Sequence, residues 1–156
     1  MAEDKPISDI RVSDVLDRAA KTVSPATVRT DATLRDAVDA IIVDSGTRKV
    51  YVLTDDGKLA GTITLEVLLR HAGYKFGVRS VGMTSFLRML AEVTDDSVRE
   101  VMTKPIRVSK DELLVNATKL MVEHHLNDLP VVDEDDRLVA ELNGIDILRL
   151  SIRRGK

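Results

Sequence analysis

The sequence predicts a mixed α/β (α+β) fold: two tandem β-α-β-β-α units packed about a pseudo-two-fold axis. Three observations carry this: an internal repeat, the order of hydrophobic periods inside each copy, and a length of 156 residues. Residues 25–41 laid on 105–121, an offset of 80, share Pro25/Pro105, Val28/Val108, Asp31/Asp111, Leu34/Leu114 and Ala37/Ala117. Residues 48–70 laid on 127–149, an offset of 79, share Val52/Val131, Asp56/Asp135, Leu59/Leu138, Leu69/Leu148 and Arg70/Arg149. Upstream, VSDVL at 12–16 resembles VREVM at 98–102. A repeat outranks local signals in assigning a fold. The units are 12–73 and 98–150, with an insertion at 74–97 between them. A lone three-stranded unit of about 50–60 residues exposes an apolar sheet face, so the copies should pack together.

Each element follows from its periodicity. Leu34, Ala37, Val38, Ile41 and Ile42 recur at i, i+3, i+4, i+7 and i+8, one apolar face of a helix. Thr33-Leu34-Arg35-Asp36 ahead of them reads as a capping box. Two β-branched runs, Val50 to Leu53 and Leu59 to Thr64, joined by Asp55-Asp56-Gly57, form a hairpin. A second helix starts after Thr64 and is expected to stop near Gly73. The second unit repeats the order: an extended piece at Ile106 to Val108, a helix across Leu113 to His125, strands at Leu129 to Val132 and Leu138 to Leu142, and a helix from Gly144. The insertion holds Phe86, Leu87, Met89 and Leu90, read as a short extra helix.

Composition narrows the function classes. The chain is 44% hydrophobic and 31% charged with eight Gly and four Pro, which argues against disorder and low complexity. No apolar run approaches the ~20 residues of a membrane span, and Glu3, Asp4 and Lys5 at the start do not resemble an export signal. A cytoplasmic protein without membrane insertion is expected. Zero Cys removes thiolate chemistry, and three His leave little for a metal centre. A net charge of −3 and four aromatic rings give no basis for nucleic-acid binding.

No enzyme signature is present, neither a phosphate-cradling Gly-rich loop nor a nucleophile elbow nor a zinc-binding His pair. His124 and His125 point about 100° apart on a helix, so they read as helix-end residues, as does His71. Arg149, Arg153, Arg154 and Lys156 read as cations placed where the helix dipole favours them. The informative places are the two strand-to-helix junctions, at Gly61 to Val67 and Ala140 to Asp146. Helix N-termini present unpaired amides to anions. Thr64 and Asn143 fall at the N-caps, and Asp146, acceptor-only when ionised, can hold two sugar hydroxyls. Asn143 and Asp146 also form a capping-box-like pair that needs no ligand.

With VYVLTDDG at 50–57, LPVVDEDD at 129–136, VMTKPIRV at 101–108 and the two junctions, the chain resembles a tandem cystathionine-β-synthase (CBS) domain pair, or Bateman module. The resemblance spans residues 12–150. It implies a non-enzymatic regulatory module that needs no cofactor and binds AMP, ADP, ATP or S-adenosylmethionine in a cleft between the units. It assigns the ribose carboxylate to Asp146, with Val67 in the matching place of the first unit, and the phosphate-side polar groups to Thr64 and Asn143. Adenine contacts fall to Thr103, Lys104, Pro105 and Ile106, and to Leu129, Pro130 and Val131 with Tyr51 in the matching strand. Arg48 and Lys49, placed where such proteins meet phosphates, suit an oxyanion, although a solvated basic pair explains them equally. The pair accounts for the whole chain, so the expected output is a homodimer acting on a regulated enzyme or transporter. The alternative is a ligand-free dimerisation or protein-interaction module, to which Val67 and Ala140 would point as degenerate site positions.

Overall fold

The structure, a computed structural model, describes residues 5–19, 24–43, 48–76 and 82–154. After a 3-10 turn at Ile7–Asp9 the elements are α1 Val12–Leu16, β1 Thr27–Arg29, α2 Leu34–Val43, β2 Lys49–Leu53, β3 Leu59–Thr64, α3 Leu65–Phe76, α4 Met83–Val93, α5 Val98–Val101, β4 Val108–Ser109, α6 Leu114–Glu123, β5 Asp128–Val132, β6 Leu138–Asn143 and α7 Gly144–Arg154. Two three-stranded sheets result, ordered β1-β2-β3 and β4-β5-β6. In each, the first pair is parallel and the second antiparallel, the β-α-β-β-α order the repeat predicts.

The repeat extends to local detail. Both antiparallel pairs shift register at the same place, between Val52 and Leu53 and between Val131 and Val132. Both hairpins turn through a left-handed residue, Gly57 at φ 82° and Asp136 at φ 65°, one a glycine and the other an Asp, which tolerates that region. The capping box of α2 forms: Thr33 N donates to Asp36 Oδ2 at 2.8 Å, and Asp36 N donates to Thr33 Oγ1 at 3.4 Å.

Two expectations need correction. The second helix does not stop near Gly73; α3 continues to Phe76. Ala72 is fully buried and Leu68 nearly so, and this packing outweighs the ~1 kcal/mol that a helical glycine costs. His71 is therefore interior to α3 rather than at its end, with Nε2 2.9 Å from Asp96 Oδ2. The short helix of the insertion is real and longer than its four apolar residues suggest, spanning Met83–Val93.

The chain forms two compact units that do not coincide with its repeats. One is Pro25–Pro105; the other joins the described residues up to Ser24 to those from Ile106 onward. In the first, Leu34, Ala37, Val50, Val52, Ile63, Leu68 and Ala72 form a core closed by Val98 and Val101 of α5. In the second, Val108, Leu114, Ala117, Met121, Leu129, Val131, Leu142 and Leu150 form a core closed by Ile10, Val12 and Val15. The short starting helix of each repeat thus completes the sheet of the other. Matching hydrogen bonds fix this exchange: Leu34 N to Asp96 O at 2.9 Å and Val98 N to Ala32 O at 3.1 Å, against Leu114 N to Ile10 O at 2.8 Å and Val12 N to Glu112 O at 3.0 Å.

Candidate functional site

In the unit Pro25–Pro105, the junction lies between β3 and α3. Thr64 is its N-cap: the hydroxyl oxygen accepts from Val67 N at 3.2 Å. Leu65 N donates to Arg48 O at 2.9 Å, tying the junction to the loop before β2. Arg48 is exposed and Lys49 half-buried, with Nζ 5.9 Å from the centre of the Tyr51 ring. Tyr51 is 1% exposed, on the sheet face opposite Val50 and Val52. Val67, in the place matching Asp146, packs against the apolar core. Thr103 runs beside β3, exchanging backbone hydrogen bonds with Thr62 at 2.9 and 3.0 Å. Thr103, Lys104 and Pro105 consequently belong to this unit.

In the other unit, the junction between β6 and α7 repeats the design. Asn143 Oδ1 accepts from Ile145 N at 2.8 Å, and Gly144 N donates to Asn127 O at 2.9 Å. Asn143 and Thr64 therefore both act as caps through oxygen, which leaves their donor hydrogens directed elsewhere. Ile106 packs on a core in which Leu129 and Val131 are wholly buried, and Pro130 is buried too. Asp146 does not close a capping box with Asn143; its Oδ1 instead meets Arg149 Nη1 at 3.2 Å, one turn along α7. Its side chain is 23% exposed and opens into a pocket of about 180 Å³. That pocket is lined by Val15 of α1, by Arg18 and Ala19 just after it, and by Asp146, Arg149, Leu150 and Arg153 of α7.

The site residues expected from sequence are thus divided. Asp146, Asn143, Ile106, Leu129, Pro130 and Val131 share one compact unit, whereas Thr64, Arg48, Lys49, Tyr51, Thr103, Lys104 and Pro105 share the other. Sequence reasoning missed the arginines beside Asp146. Asp146, Arg149, Leu150 and Arg153 stand at i, i+3, i+4 and i+7, so their common face was readable. Arg18 reaches the pocket through the exchanged α1, which no local spacing announces. Among the described residues no three His, Asp or Glu side chains are grouped to hold a metal, and no helix is long and apolar enough to cross a membrane.

Two β-α-β-β-α sheets in tandem, each with a capped strand-to-helix junction, define a tandem-repeat α+β module. The chain belongs to the CBS-domain family, whose model matches residues 8–74 and 98–153. This bears out the resemblance carried by the motifs. A CBS-domain-containing protein from Thermotoga maritima is 31% identical in sequence, with a TM-score of 0.74 over 95% of this chain and 97% of that one. A CBS domain protein from Pyrobaculum aerophilum, solved in complex with AMP, is 16% identical, with a TM-score of 0.67 over 92% of this chain and 99% of that one, and at that identity shares the fold. The arabinose 5-phosphate isomerase of Pseudomonas aeruginosa is 35% identical over 107 residues, 69% of this chain but 28% of the isomerase. The chain spans less than half the length of the curated relatives it matches.

Proposed function

We propose that this protein is a regulatory, non-enzymatic module that senses an adenine nucleotide, AMP, ADP or ATP, or a related adenosyl ligand such as S-adenosylmethionine. The observation that carries the reading is Asp146: a part-buried carboxylate in the first turn of α7, opening into a pocket, where it can accept from both hydroxyls of a ribose. The AMP bound to the Pyrobaculum relative supports the ligand class. Val67 presents no acceptor in the matching place, so one nucleotide binds per chain, at the junction that carries Asp146. The module acts as a cytoplasmic homodimer on an enzyme or transporter. Exposed Ile145, Leu148 and Ile152, at i, i+3 and i+7 of α7, supply an apolar stripe for the dimer contact. A monomer in sedimentation equilibrium at tens of micromolar would remove that part.

The test is thermal unfolding of nucleotide-free protein against each ligand up to millimolar concentration. A ligand at ~100 times its dissociation constant stabilises the native state by about 2.7 kcal/mol, several degrees for a chain of this size. The expected result is a saturable shift that Asp146→Ala abolishes. No shift with any ligand would leave the interaction module as the surviving reading.

A further inference from the structure

Residues 5–19 form an arm that is capped from within and seated on a stretch of chain made much later. Arg11 N donates to Asp14 Oδ2 at 2.9 Å, and Lys5 Nζ lies 2.8 Å from Asp14 Oδ1, so these bonds travel with the arm. The seat is built from the segment that begins at Ile106. Ser13 N donates to Lys110 O at 2.9 Å, the Arg11 guanidinium donates to Asp111 O, and Arg11 stands opposite Leu113 in an antiparallel bridge. Ile10, Val12 and Val15 fill the core of that same segment. Residues 20–23 are all that separates the arm from Ser24 in the chain. The matching helix α5 has no such independence, because Val98 and Val101 close a core made of one contiguous stretch, Pro25–Pro105.

We propose that two copies of this chain exchange these arms: residues 5–19 of one seat on residues 106–154 of the other, and reciprocally. The inference rests on the homodimer reading and gives that dimer its interface. A stable interface takes roughly 20–30 residues a side. The α7 stripe of Ile145, Leu148 and Ile152 offers three exposed side chains and falls far short by itself. An exchanged arm adds fifteen residues and buries Ile10, Val12 and Val15 in the other chain. The seat adjoins the stripe, since Leu150 of the same helix packs in the core that the arm closes. Two copies joined along α7 therefore bring a second seat next to each arm. The contacts made after exchange are those made within one chain, so exchange sacrifices neither packing nor hydrogen bonds. Being reciprocal, it closes at two copies. Val15, Arg18 and Ala19 then reach the Asp146 pocket from the other chain, and a molecule in that pocket touches both chains. Occupancy of the site and assembly of the dimer are thereby linked.

The chain has no cysteine, so an introduced disulfide can report which chain fills the seat. Residues opposite each other in an antiparallel bridge have Cβ atoms about 4.5–5.5 Å apart, within reach of a disulfide after a small shift. The full chain carrying Arg11→Cys and Leu113→Cys is made in light and heavy-nitrogen forms. Equal amounts are unfolded together in reductant, refolded at tens of micromolar, oxidised and digested, and the masses of the peptides joined through positions 11 and 113 are read. About half of the joined pairs should combine a light peptide with a heavy one, the random share when every arm comes from another chain of a closed dimer. Pairs that are only light with light and heavy with heavy overturn the exchange, as do thiols that stay free. In either case a parent protein that sediments as a dimer keeps the homodimer reading, and one that sediments as a monomer removes it too. Where the double variant melts early, light Arg11→Cys and heavy Leu113→Cys are refolded together with one substitution each. A disulfide joining the two chains through these positions supports the exchange, and its absence overturns it.

Discussion

Gly61 and Ala140 occupy the same place in the two repeats, and their difference answers to the helix that lies over each. A Cβ on Gly61 would stand 2.5 Å from Met102 Sδ and 2.9 Å from Met102 Cβ, so the glycine admits the end of α5. In the second unit Leu16, which ends α1, and Ala140 both pack on the core without needing that gap. Ala140 is thus a packing choice, and its departure from glycine says nothing about a lost ligand. Gly61→Ala should destabilise the protein by about 1–3 kcal/mol through overpacking, although alanine is otherwise the better strand residue. Met102→Ala in the same chain should recover most of the loss, measured as a double-mutant cycle of denaturant melts. Additive effects of the two changes would contradict the account.

At the scale of the element, the caps were legible because they are local. Thr33 and Asp36 sit three residues apart, and the hydrogen bonds from the Thr33 backbone and hydroxyl hold the Asp36 carboxyl below the usual carboxylate range. A lowered folded value means that the stabilisation is present above the unfolded value of ~3.9 and is lost as pH falls through the folded one. Asp36→Asn should therefore lower the melting temperature at pH 7, and the difference from the parent should vanish in strong acid. A gap of constant size from pH 7 to pH 2 would show that the charge is irrelevant. The end of α3 was not legible, because Gly73 is a local stop signal and the burial of Leu68 and Ala72 that overrides it is tertiary. The pocket divides the same way: the face bearing Asp146, Arg149 and Arg153 follows from helical spacing, and the approach of Arg18 does not.

For the molecule as a whole, the repeat was readable and the exchange was not. Hydrophobic spacing marks α1 as amphipathic, but it carries no information on which sheet a five-residue helix will cover. Ile10, Val12 and Val15 are at most 2% exposed. At ~1.5–3 kcal/mol for each buried aliphatic side chain, the three contribute roughly 5–9 kcal/mol, comparable with the whole stability of a small domain. A fragment of residues 25–105 should therefore melt cooperatively by itself, since its unit is contiguous and includes Val98 and Val101. A fragment of residues 106–154 should be unfolded by circular dichroism until a peptide of residues 5–19 is added. Cooperative melting of 106–154 alone would mean that the exchanged helix is ornamental.

The exchange also reorders events at the ribosome. Domains ordinarily fold from the N-terminus as they are made, at ~5–20 residues per second. Here the segment with Ile10, Val12 and Val15 is translated ahead of the sheet it covers and finds its seat only once Leu142 and Leu150 have emerged. That wait lasts roughly 7–27 s at the same rates. Through it three aliphatic side chains stay uncovered on the nascent chain while the unit Pro25–Pro105 is already closed, so a segment made before that unit is buried only after it.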